Sequence, residues 1–70
     1  MSGNDFERLR NAVQRELKLY KPSEQDYETT LTKAKMHSGL ENIRLTQDQK
    51  NILYNIYSKS IQEEWKENKI

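Results

Sequence analysis

Phe6, Leu9, Val13, Leu17 and Tyr20 recur three and four residues apart, a spacing that gathers them on one face of a helix predicted over about 5–20. Asn4 with Glu7 three positions later offers a capping box at its start. Lys21 precedes Pro22 and is therefore steered out of the α conformation, which ends the helix. Ser23 and Asp26 repeat the capping-box spacing, and Glu24, Asp26 and Glu28 place negative charge where a helix N-terminus favours it. A second helix is expected over 23–38. Its apolar stripe of Tyr27, Leu31 and Ala34 is thin, and the β-branched Thr29, Thr30 and Thr32 lower its helix propensity. Gly39 suits a left-handed stop, preceded by Lys33, Lys35 and His37 near the negative end of the helix.

Leu40, Ile43 and Leu45 make the next stretch too apolar for a free linker, so it is expected to lie against the helices as a lid. Thr46 with Gln49 is a third capping box, opening a helix over about 46–68. The fold expected is all-α: one domain over 1–70, a small three-helix antiparallel bundle with successive helices side by side.

The third helix carries more apolar surface than such a bundle needs. At about 100° per residue, Ile52, Leu53 and Ile56 point one way, as a core face should, while Tyr54, Tyr57, Ile61 and Trp65 form a second stripe well over 100° from it. Two short helices struggle to cover both. Trp and Tyr are the residues that interface hot spots favour, so this stripe is the candidate partner-binding site. Its alternative role is ordinary core, covered by the first helix and the lid. Pairing with a second copy would cover the stripe and complete the bundle at once.

Composition narrows the functions available. Seventy residues bury about 60% of the surface an unfolded chain exposes, and no cysteine is present to staple the fold or bind a metal as thiolate. Twelve Lys and Arg against eleven Asp and Glu leave a net charge of +1, so nothing global attracts nucleic acid or a membrane surface. Locally, Arg8, Asn11, Arg15 and Lys18 line the polar side of the first helix and could lie along phosphates, the alternative function being a nucleic-acid-binding accessory protein. Three cations with Glu7 beside them make a weaker case than a solvated helix face. The seven residues from Gly39 to Leu45 are also too long for a helix-turn-helix turn.

Catalytic chemistry is harder still to place. His37 is the sole histidine and no thiol exists, so the usual nucleophile and base pairs and His-rich metal sites lack their parts. The acidic groups 24–28 and 63–67 lack the turn glycine and oxygen-rich loop of a calcium site, and Gly3 and Gly39 are too far apart to cradle a phosphate. No enzyme, metal, cofactor or small-molecule substrate is expected. No apolar run reaches a signal-peptide core or a membrane span, and the terminal residues match neither lipidation pattern, which makes the cytoplasm the default expectation. The reading is a non-enzymatic interaction module, a regulator, inhibitor or adaptor that binds another protein or itself.

Overall fold

The computed structural model describes residues 3–68, with side chains from 5 to 67. It contains three helices: α1 Gly3–Leu19, α2 Tyr27–Ser38 and α3 Gln47–Asn68. α1 starts ahead of its expected cap, so Asn4 lies inside the helix.

α2 departs from its expected start for a clearer reason. Residues after Pro22 form a turn in which the Glu24 and Gln25 N–H groups donate to Lys21 O at 2.8 and 3.1 Å, and Glu24 Oε1 accepts from Lys21 N at 2.9 Å. Ser23 starts no helix, because the chain around it is this turn; its N–H and hydroxyl both donate to the Glu64 carboxylate on α3. Asp26 is the N-cap instead, with extended backbone (φ −73°, ψ 173°) and its side chain accepting from Thr29 N at 2.8 Å. Hydrogen bonds from Thr29 hold the Asp26 carboxyl below its ordinary pKa. The helix ends as expected. Gly39 sits at φ 73°, its N–H donating to Met36 O, and Leu40 N–H returns to Lys35 O.

α1 is the element on which the others pack. Leu9 and Val13 are fully buried and join Ala34 of α2 and Leu53 of α3 in the core. Phe6, Leu17, Leu31 and Ile56 pack around this centre, as do Leu40, Ile43 and Leu45, so the connector does cover the bundle. Arg8 Nη2 donating to Ser38 O at 2.9 Å, and Lys33 Nζ 4.7 Å from the centre of the Tyr20 ring, show α2 folding back across α1. Thr46 and Gln49 bond reciprocally at 3.0 and 3.1 Å, the capping box that starts α3.

α3 lies against α1 through Leu53 and Ile56, and α2 meets it chiefly through Tyr27, whose ring packs edge-on against Tyr54 and Tyr57. With one helix to rest on, α3 buries a narrow face. Ile52, expected in the core, is 42% exposed because it lies about 90° from the centre of that face.

Leu9→Ala or Leu53→Ala should therefore cost about 2 to 5 kcal/mol, enough to leave a chain of this size largely unfolded, whereas Ile52→Ala should cost less than about 1 kcal/mol. Thermal melts followed by circular dichroism distinguish the two classes; equal losses at positions 52 and 53 would contradict this packing.

Candidate protein-binding surface

The α3 stripe divides on folding. Tyr57 turns inward: it is 7% exposed, and its hydroxyl donates to the carbonyls of Gln25 at 3.0 Å and Pro22 at 3.2 Å. It closes the turn between α1 and α2 onto α3, so this member of the stripe serves the core. Tyr54, Ile61 and Trp65 stay outside at 52, 36 and 71% exposure. Within about 40° of one another around the helix, they form one ridge.

Beside the ridge is a shallow groove of about 310 Å³. Tyr57, Ile61 and Trp65 make one wall, and Pro22 and Ser23 make the other. The turn is held there by the Ser23 to Glu64 hydrogen bonds, with Lys21 Nζ 3.8 Å from Glu67 Oε1 at the outer edge. An apolar floor with a charged rim is the layout of a small protein-binding patch. The turn residues were not foreseen as part of it. Pro22 reads in sequence as a helix stop, and nothing local indicates that the turn will fold onto a helix forty residues later.

The basic side of α1 is split. Arg8 is engaged by Ser38 O and lies 3.7 Å from Asp5. Arg8, Asn11 and Arg15 border a groove shared with His37 and Ser38 of α2, whereas Lys18 lines a different groove with Leu17, Ile56 and Lys59. The four lie within about 80° of one another around α1 but border two separate grooves.

A buried polar cluster lies behind the first of these grooves. Glu16 is 2% exposed. Its Oε1 accepts from Gln25 Nε2 at 3.3 Å, and its Oε2 is 3.0 Å from His37 Nδ1. Gln25 Nε2 also donates to Thr30 Oγ1 at 3.0 Å, and Thr30 is fully buried. A buried carboxylate is tolerated when its oxygens have such partners, and among the described residues no buried side-chain N or O lacks one. The cluster ties the turn and the end of α2 to α1, and its hydroxyl, on Thr30, is occupied by Gln25. A hint existed in the sequence: Glu16 lies two helical turns beyond Leu9 and three residues beyond Val13, on the apolar stripe itself. No group of three or more His, Cys, Asp or Glu that could hold a metal occurs among the described residues, and none of the helices is long and apolar enough to cross a membrane.

Burial raises the Tyr57 pKa above 10.0, with smaller contributions from Asp26, Glu64 and Tyr54, and burial likewise raises that of Tyr27. The folded state thus favours the neutral phenols. Their contribution is complete below pH 10 and is lost as pH rises through the elevated values. Tyr57→Phe should lower stability by about 1 kcal/mol at neutral pH and reduce the alkaline loss. Denaturant titrations of both proteins at neutral pH and above pH 10 test this, and identical alkaline slopes would refute it. Comparison of the chain with protein-family models, curated proteins and solved structures finds no match.

Proposed function

We propose that the protein is a non-enzymatic interaction module that acts by occupying the surface of a protein partner, with Tyr54, Ile61 and Trp65 as anchors and Tyr57 as the rigid back of the groove. The observation that carries this reading is the exposure of Trp65. Removing an indole from water is among the larger gains a single contact can supply, yet the fold leaves the chain's one Trp 71% exposed, in line with two further large apolar side chains.

The surroundings of the ridge support the same reading. Tyr57 is locked by two hydrogen bonds and Ile61 is flanked by the turn, so little side-chain freedom remains to be lost on binding. Glu64, Lys21 and Glu67 mix both signs at the rim, which favours orientation over bulk attraction. A regulator, inhibitor or adaptor working in the cytoplasm would use such a surface.

The basic side of α1 supports nucleic-acid binding less well. Arg8 is partly neutralised by Asp5, and Lys18 borders a different groove from Arg8 and Arg15, leaving few free phosphate contacts to accumulate.

Capture from lysate with the tagged chain, at low and high salt, tests the function. Partner retention should survive high salt, and Trp65→Ala should weaken it by about 1 to 2 kcal/mol, roughly five- to thirtyfold. The melting temperature should change little, since Trp65 is mostly solvated. Arg8→Glu with Arg15→Glu should leave capture intact. Loss of the partner with salt or with the arginine variant, and not with Trp65→Ala, would replace this reading by the electrostatic one.

A further inference from the structure

We propose that the occupant of the α3 ridge is the same ridge of a second copy, the two α3 helices pairing antiparallel about a two-fold axis. This rests on the reading of the ridge as a protein-binding surface and names its partner.

The first support is surface area. A folded monomer of 8.4 kDa should expose about 4,600 Å², whereas this chain exposes 5373 Å² and is elongated, with extents of 45 × 21 × 16 Å. An elongated chain leaves its apolar ridge, Tyr54, Ile61 and Trp65 at 52, 36 and 71% exposure, along one open helix face against which a second copy can lie. Net charge of +1 puts no appreciable repulsion between copies.

The second support is the spacing along α3. Gln47, Asn51, Tyr54, Ser58, Ile61 and Trp65 follow one another at intervals of four, three, four, three and four, the alternation that keeps a seam facing a partner helix. All are exposed except Ser58, which is half-buried. At the polar end, Gln47 Nε2 donates to Asn51 Oδ1 at 3.2 Å, so the apolar part of the seam runs from 54 to 65.

Residue sizes select the direction. Antiparallel pairing centred between 59 and 60 sets Trp65 against Tyr54 and the small Ser58 against Ile61, so each layer combines a larger and a smaller side chain. Parallel pairing would set Ser58 against Ser58 and Trp65 against Trp65, leaving a polar gap beside a crowded layer. The antiparallel register also brings Asn55 of one copy within about two residues, some 3 Å along the axis, of Gln62 of the other. Both are exposed amides on the same flank of the seam, able to bond to each other.

Sedimentation of the full chain from ~1 μM to several hundred μM, with Trp65 emission recorded on the same samples, tests the pairing. The expected result is a concentration-dependent doubling of mass with a blue shift of the emission as the indole leaves water. Trp65→Ala should weaken association at least about tenfold and Ile61→Lys about thirtyfold or more. Circular dichroism keeps loss of pairing separate from loss of fold, and Trp65→Ala, altering a solvated side chain, remains informative if Ile61→Lys unfolds.

Direction is read from cysteine variants of this cysteine-free chain. With a short bis-maleimide, Asn55→Cys mixed with Gln62→Cys should cross-link to each other, and Asn55→Cys alone should link poorly; efficient 55 to 55 linking would overturn the antiparallel register. A monomer at every concentration overturns self-pairing. If Trp65-dependent capture of another protein then persists, the binding surface stands with a different occupant; if capture is also insensitive to Trp65→Ala, both readings fall.

Discussion

The whole arrangement depends on one stripe of α1. Leu9 and Val13 meet α2 and α3 together, and the next position on the stripe is Glu16, whose buried carboxylate takes partners from the turn and from the end of α2. A helix of 17 residues thus organises the core through two apolar side chains and one charge. The apolar pair supplies driving force without direction. The carboxylate supplies direction, because leaving it unpartnered in the interior would cost several kcal/mol, so α2 is held where His37 and Gln25 can reach it.

That economy has a consequence for α3. Since α2 spends its contacts on α1, α3 rests on a single neighbour along most of its length and needs to bury one narrow face. Its far end is secured by other means: the Tyr57 hydroxyl on two turn carbonyls and the Glu64 carboxylate on Ser23. These hydrogen bonds hold the turn against α3 without covering the helix, so the groove and the exposed ridge follow from how the turn is tied down. Stability of the turn and shape of the surface are therefore linked through Tyr57, which belongs to both.

Much of the fold could be read from residue spacing, because three-and-four periodicity, the Thr46 and Gln49 box and the Gly39 stop are local instructions that the structure carries out. What escaped was set at long range. Ser23 has the spacing of a helix cap, but the chain there is held as a turn by bonds to Glu64, forty-one residues later. Ile52 looked like core because its helix was expected to have two neighbours, and Tyr57 reads as part of the binding stripe because the turn carbonyls that draw its hydroxyl inward lie 35 and 32 residues away. Glu16 was overlooked because charged residues are assumed to face water, although its position on the Leu9 and Val13 stripe argued otherwise. For Ser23, Tyr57 and Glu16 the missing information was which distant group would satisfy a polar atom; for Ile52 it was how many neighbours its helix would have.

The same logic bears on why the ridge stays exposed in a chain so short of core. A monomer could bury Trp65 if the turn or α2 moved across it, but the turn is held by Tyr57, Ser23 and Lys21, and α2 by Glu16. Moving the turn would unpair the buried Tyr57 hydroxyl, and moving α2 would unpair the buried Glu16 carboxylate, at a cost of about 1 to 3 kcal/mol for each group left unpartnered, comparable to the gain from covering one aromatic side chain. Internal coverage is thus opposed by the polar contacts that define the fold, whereas a separate chain can cover the ridge with all of them intact. The exposed apolar surface is a product of the specificity of the bundle, and an external partner is the way to bury it that the bundle leaves open.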